Sequence, residues 1–325
     1  MYDVITIGSA TIDVFSDSLS EIVKIITPKY EQDRIAYPSG SKTIIENLRF
    51  ELGGGGSNTA TSFSRLGLKT GFLGCIGNDS NADLVLKRLK EENIDFLGFR
   101  DKNNLTGYSI ILDSIEHDRA ILSFKGANDF LKYAKLKNHN LDTKWIYATS
   151  MLGTSFKTLY KIFKDAKEAG IKIAFNPSEY VFFKEPKVFD LIKMCNVLII
   201  NEREAFIATA KKCIVDQLKA LSKLGPEMVV VTEGKEGAGL IHKKKITYIN
   251  PLNVKVLETT GAGDAFGSGF IAGLILKKSP ITALKLGTAN AASVVKKKGA
   301  KNDLLTIKKA EQMLKKNYII KKLKV

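Results

Sequence analysis

Glu258-Thr259-Thr260-Gly261-Ala262-Gly263-Asp264-Ala265-Phe266 opens an apolar helical stretch that runs on to about Leu276. A helix N-terminus carries unpaired backbone N–H groups and the positive end of the peptide dipoles, so it draws anions. Gly261 and Gly263 let a phosphate approach those amides with no Cβ in the way. Asp264 is the odd member, since a carboxylate beside an anion site repels the ligand. It makes chemical sense as a base that takes a proton from a hydroxyl attacking the bound phosphorus. It makes equal sense as a helix cap, and this segment alone leaves both open.

Outward from that run, the next informative segment is Gly53-Gly54-Gly55-Gly56-Ser57-Asn58. Four consecutive glycines cost folding entropy unless the backbone turns tightly or touches a ligand. Asn58, at the start of the following helix, can both donate to and accept from hydroxyls, although a flexible loop with Asn58 in the first helical turn is the plain alternative. Neither cluster fits the common nucleotide fingerprints. GxGxxG fails because Phe266 stands at its third glycine, and Gly40-Ser41-Lys42-Thr43 lacks the glycine before lysine of a Walker A loop. A Rossmann dehydrogenase and a P-loop kinase are both disfavoured.

Three further positions fall at expected strand ends, where open parallel sheets bind ligands. Asp13 follows the first strand, as a ligand for a sugar hydroxyl or as an exposed turn residue. Asn201 and Glu204 follow Val197–Ile200 three residues apart, suited to hydrated magnesium and phosphate or simply to helix initiation. Thr232 and Gly234 end another strand and could line a nucleotide pocket.

The remaining text supports an α/β fold. Val4–Ile7 is the first strand, and the chain then reads as irregular to Leu52, with turns at Pro28 and Pro38-Ser39-Gly40. A helix from Ser57 to Leu66 is closed by Gly67, Thr70–Ile76 reads as a strand, and Asp79 caps the next helix. The stretches 106–112 and 120–124 suggest a hairpin. Strands at 145–149, 171–175, 197–200 and 228–232 then alternate with amphipathic helices at 156–169 and 214–224. Such alternation means a mostly parallel sheet flanked by helices on both faces. A hairpin at 240–249 and helices at 264–276, 281–296 and 307–315 complete one domain over 1–325. The interruptions at about 14–50 and 105–126 look like a small discontinuous β lid over the sheet's carboxyl edge, able to exclude water.

Composition bounds the rest. The 44% hydrophobic share and 325-residue length describe an ordinary globular chain with room for a large core. No apolar run is long enough for a membrane span, and the first residues lack a signal-peptide pattern, so a cytoplasmic location is expected. Three widely spaced cysteines indicate no disulfide framework or zinc site; Cys195 reads as core, and His117, His139 and His242 as surface. The net charge of +16 comes from lysines spread along the chain, thickening at Lys296–Lys298 and from Lys308 to Lys324 as on solvated helix faces. With no basic stripe interleaved with aromatics, specific nucleic-acid binding is not expected.

Taken together, these residues resemble the ribokinase-like (PfkB) carbohydrate kinase family. GGGGSNTATSFSRLGLKTGFLGCIGND at 53–79 is similar to that family's first signature and ETTGAGDAFGSGF at 258–270 to its second. The resemblance implies a ribokinase-like parallel sheet with a β lid and transfer of a terminal phosphoryl from ATP, with Mg2+, to a hydroxyl of a sugar. It implies Asp264 as catalytic base and the amides of Gly261, Ala262 and Gly263 as anion hole. Asp13, Gly54 and Asn58 would hold the acceptor's hydroxyls. Asn201 and Glu204 would serve magnesium and phosphate, and Thr232, Gly234 and Asn290 the nucleotide. Departures bear on the substrate: Gly55 stands where ribokinases carry a lysine, and no acidic residue follows the strand ending near Thr149. Glu258 replaces an aspartate, leaving room for a monovalent cation such as K+ near Glu258, Thr260 and Gly299. A nucleoside kinase, an ADP-dependent or sugar-phosphate kinase, and a non-catalytic ligand or nucleic-acid binder are the alternatives. The lid sheet could also pair with a second copy in a homodimer.

Overall fold

Alternation along the central strands sets the architecture. In the computed structural model, Ile5 and Ile7 of the strand Tyr2–Ile7 pack into one apolar cluster while Val4 packs into another. Ile146 and Ala148 against Tyr147, and Leu198 and Ile200 against Val197 and Ile199, divide the same way. A strand with apolar side chains on both faces must be covered on both, and helices do so here. Gly153–Glu168, Val188–Met194 and Ile214–Ser222 cover one face; Gly55–Arg65, Ala262–Ile275 and Pro280–Val294 cover the other. The structure describes the whole chain except residues 19–20, 27–30, 37–38, 41, 43, 114–118, 137–140 and 324–325.

The main sheet has ten strands. Tyr2–Ile7 lies between Thr143–Ala148 and Thr70–Leu73, both parallel to it. From Thr143–Ala148 the parallel run continues through Lys172–Phe175 and Val197–Asn201 to Met228–Thr232. The antiparallel strands Ala238–His242, Lys245–Ile249 and Ile320–Leu323 finish that side. Because connections leave Tyr2–Ile7 toward both sides, a crevice opens at its carboxyl end, where ligands sit in sheets of this kind.

A second sheet orders its strands Arg119–Phe124, Gly107–Asp113, Thr11–Ser18, Ile45–Gly53. It starts three residues beyond the first strand, and Asn128 fixes that departure by accepting from Ala10 N–H (2.9 Å) and donating to Ala10 O (3.0 Å). Ile45, Leu48, Phe50, Ile121, Leu122 and Phe124 of this sheet are exposed.

Several sequence expectations change. The segment 8–52 is not irregular but holds four strands, Thr11–Ser18, Glu21–Ile26, Glu31–Ala36 and Ile45–Gly53. The turn expectations at Pro28 and Pro38, the centre of the 113–119 link, and His117 and His139 lie outside the described residues. Thr70–Ile76 divides into Thr70–Leu73 and Cys75–Ile76, the latter pairing separately with Phe99–Arg100. The lysine-rich C-terminus is not helical throughout: after the helix Ile307–Leu314 it forms the edge strand Ile320–Leu323, with Lys321 and Lys322 exposed. The helices Glu179–Lys184 and Val188–Met194 escaped notice because six or seven residues show barely two turns of period, whereas Glu202–Thr209 is the helix whose initiation Asn201 and Glu204 suggested. No helix among the described residues is long and apolar enough to cross a membrane.

Candidate active site

Two glycine turns meet at the crevice. Gly54, at φ 88°, caps the helix Gly55–Arg65, and a Cβ there would stand 2.5 Å from Ser9 O. A Cβ on Gly56 would lie 2.7 Å from the Gly8 carbonyl carbon. The glycine run is therefore a close backbone crossing over the end of the first strand, not a flexible loop. Gly261, at φ 76°, caps Ala262–Ile275, and its missing Cβ would lie 2.6 Å from Ala300 O. Ala262 N–H donates to Thr259 O (3.1 Å), so it already serves the turn. The anion-facing weight of this helix start rests on its other first-turn amides.

The two turns are joined by side chains. Asn58 Nδ2 donates to Asp264 Oδ2 at 2.8 Å across 206 positions of sequence. Asp264 makes no side-chain capping bond to its own helix, which removes the helix-cap reading. Burial raises its carboxyl from an ordinary 3.8 to about 6, while Asn58 and the charge of Lys301 oppose the rise and Asp13 adds to it. Asn58 Oδ1 is buried without a protein partner, so the cleft presents an acceptor that a ligand hydroxyl would satisfy. Asp13 is not an exposed turn residue: it lies buried on the strand Thr11–Ser18, with Oδ1 accepting from Thr11 Oγ1 at 2.7 Å.

Asn201 and Glu204 form a reciprocal capping box: Asn201 Oδ1 accepts from Glu204 N–H and Glu204 Oε2 from Asn201 N–H, both at 2.8 Å. Helix initiation is thus their visible role. Burial nevertheless lifts the Glu204 carboxyl to about 7. Glu258 is also buried, and its Oε2 accepts from Gly299 N–H at 3.0 Å, tying the approach to the Gly261 turn to the 299–302 loop. Among the described residues, no three His, Cys, Asp or Glu side chains cluster as a ready-made metal cage.

Beyond the Gly261–Gly263 turn lies a cavity of about 710 Å³, bordered by Thr232, Gly234, Pro251–Val254, Thr259, Gly263, Phe266 and Thr288. Thr232 and Gly234 thus border a cavity at the strand end. Asn290 does not: it is fully buried, donating to Ser62 Oγ (2.9 Å) and Ala265 O (2.8 Å) and accepting from Leu305 N–H (3.0 Å). It fastens three segments behind the cavity, whose wall on that helix is Thr288, Ala291, Ala292 and Val295. Sequence reading also missed the 251–256 wall, which lies in a coil without motif spacing. It missed Lys301, whose Nζ reaches Ser57 Oγ at 3.2 Å.

Comparison with known proteins finds the same fold and the family. An Escherichia coli ribokinase II, solved in complex with ATP and Mg2+, shares the fold at a TM-score of 0.81 and 19% identity, covering 97% of this chain and 99% of that one. Among curated relatives, ribokinase of Haemophilus influenzae is 30% identical over 80% of this chain and 86% of its own length. ATP-dependent 6-phosphofructokinase of Thermoanaerobacterium thermosaccharolyticum is 27% identical over 99% of this chain and 96% of its own. The protein is a kinase, of the class that phosphorylates sugars or nucleosides. Residues 4–307 match the family model described as pfkB family carbohydrate kinase, and the chain belongs to that family.

Proposed function

We propose that this chain transfers the terminal phosphoryl group of ATP to a hydroxyl of a sugar, with Asp264 as the base. The observation that carries the reading is the Asn58–Asp264 contact, which ties the two glycine turns together beside the cavity. Asp264, ionised above about pH 6, removes the acceptor hydroxyl's proton as its oxygen attacks the γ-phosphorus. One P–O bond forms to the acceptor, the bond to the leaving ADP breaks, and the proton resides on Asp264. The Gly261 and Gly263 amides would face the negative charge carried by the transferred group, Ala262 N–H being engaged by Thr259 O. Asp13, Asn58 and the backbone at Gly54 orient the acceptor, and Thr232 and Gly234 border the nucleotide. Closure of the lid sheet excludes water that would otherwise compete as acceptor.

Magnesium fits this donor set through few protein contacts, because it is commonly held by substrate phosphates, waters and one or two carboxylates. Glu204, buried at a strand end, is the carboxylate that would share it with Asn201. Bound there, magnesium would neutralise phosphate charge. Glu204→Gln keeps an oxygen for the capping box, so the expected result is an intact fold with a higher magnesium concentration needed for half-maximal turnover. A monovalent cation beside Glu258 and Thr260 belongs to the same reading, checked by turnover in potassium against sodium chloride.

An acceptor screen with ATP and magnesium, reading ADP over ribose, fructose, adenosine and cytidine, tests the function. ADP release dependent on an added acceptor is expected; an acceptor-independent rate would contradict it. Strongest release with a nucleoside would favour the second reading, a nucleoside kinase on the same fold. The exposed apolar residues of the lid sheet support a homodimer, to be read from the mass in solution. Cytoplasmic location completes the proposal.

A further inference from the structure

Lys301 is the one cation among the described residues that reaches the acceptor turn by hydrogen bond. The loop that carries it is fastened on both sides. Arg65 Nη1 holds the Lys301 carbonyl at 2.8 Å, with Arg65 itself paired to Glu92. Asn302 Nδ2 donates to Glu51 Oε1 (3.3 Å) on the lid and to Lys298 O, and Glu258 clasps Gly299. So held, Lys301 directs Nζ onto Ser57, next to Asn58 and its Asp264 contact.

Carboxylates surround it. Asp13 and Glu51 stand directly opposite one another on the paired strands Thr11–Ser18 and Ile45–Gly53, so their side chains share a face. Like charges so placed repel, and Asp264 brings a third. The charges of Asp13, Asp264, Glu92 and Glu51 all act on Lys301, opposing the burial that lowers its ammonium to about 7. An ammonium has three donors. Ser57 takes one, and no ion pair within 4 Å takes the others among the described residues.

We propose that Lys301 determines acceptor specificity: its Nζ donates to a hydroxyl oxygen of an uncharged polyhydroxyl acceptor while its charge balances Asp13 and Asp264, Glu51 being paired with Arg49. The inference rests on the kinase reading and names the acceptor class. An acceptor bearing a phosphate or carboxylate would add an anion to Asp13 and Asp264, which face Lys301, while Arg49 is held by Glu51 and Arg65 by Glu92. An uncharged polyol instead donates to Asn58 Oδ1 and Asp13 and accepts from Lys301, satisfying every open group.

The test compares wild type with Lys301→Met on ribose, fructose, adenosine and cytidine, and on fructose 6-phosphate and a keto sugar acid, all with ATP and magnesium. Thermal unfolding confirms the fold, and Lys301→Gln stands in where methionine prevents it. Wild type is expected to favour an uncharged acceptor. Losing a hydrogen bond to a charged donor should raise the variant's KM for that acceptor roughly ten- to hundred-fold, with KM for ATP within about twofold. The effect should vanish on the single deoxy analogue that lacks the contacted oxygen. Preference for the phosphorylated or acidic sugar would overturn the proposal while leaving the kinase reading intact. An unchanged acceptor KM, or equal rises for acceptor and ATP, would also overturn it, the latter marking Lys301 as a structural clasp. Transfer to no acceptor at all would remove the kinase reading and this proposal together.

Discussion

Asp264→Asn should lose about 10²–10⁴ of its turnover, keep most of its affinity for ATP, and unfold at a higher temperature than wild type at neutral pH. The first effect follows from removing the base. The second follows because the side chain faces Asn58 and the acceptor turn rather than the nucleotide cavity. The third comes from linkage. In the unfolded chain this carboxyl ionises near 3.8, but in the folded chain only near 6. Between those values the folded state binds the extra proton, so stability falls as pH rises through the interval and stays lowered above it. At about 1.4 kcal/mol per pKa unit, the gap amounts to about 3 kcal/mol at most. Asparagine can still accept from Asn58, and it carries no buried charge. Lys301 loses one counter-charge, which takes back part of the gain. The stabilisation should therefore be clear at pH 7 and absent below pH 4, measured by thermal unfolding at both. Equal melting temperatures across that range would argue against a strained carboxylate, and near-normal turnover would argue against a base.

The two glycines of the proposed anion-binding turn should fail in different ways. Gly261→Ala adds a Cβ 2.6 Å from Ala300 O at a φ of 76°, so both contact and backbone strain oppose it. We expect a less stable protein whose anion site is distorted, with melting temperature and turnover falling together. A Cβ on Gly263 meets nothing within 4 Å. Gly263→Val should therefore fold without loss of stability, since valine is no poorer a helix former than glycine. Its bulk would project at the border of the cavity beside the anion-binding amides. Losing the use of one such donor typically costs about 10²–10³ in rate. Wild-type melting with strongly reduced kcat/KM is the expected signature. Unimpaired transfer by Gly263→Val would mean that the phosphoryl group passes elsewhere.

The parts legible in the sequence were those where local chemistry and tertiary role coincide. Gly67 and Asp79 mark helix ends because a positive φ and a capping oxygen are needed whatever packs around them, and both are found there. Gly261 and Gly54 were visible for a related reason: both must take positive φ and both must let other backbone come close. The structure then separated Asp264 from the helix cap it resembles by giving its oxygen to Asn58 instead. What stayed hidden depends on distant segments meeting. Asn290 is a nucleotide residue by the family resemblance alone, yet its side chain bonds Ser62 and Leu305. Glu51 and Lys301 are charged residues in a chain rich in charge, with no spacing to single them out. Only the pairing of Ile45–Gly53 with Thr11–Ser18, and the return of the 299–302 loop, bring them beside Asp13. The lid strands were read partly as coil because an exposed sheet mixes polar and apolar residues without clean alternation.

In the proposed reaction, phosphorus moves from ATP to an acceptor hydroxyl under the control of Asp264. The most direct measurement is product analysis by mass spectrometry and phosphorus NMR after incubation with ATP, magnesium and the best acceptor of the screen. One phosphate ester per ADP formed, with both products lost in Asp264→Asn, is the predicted result. ADP without ester, or ester formed as fast by the variant, would contradict it.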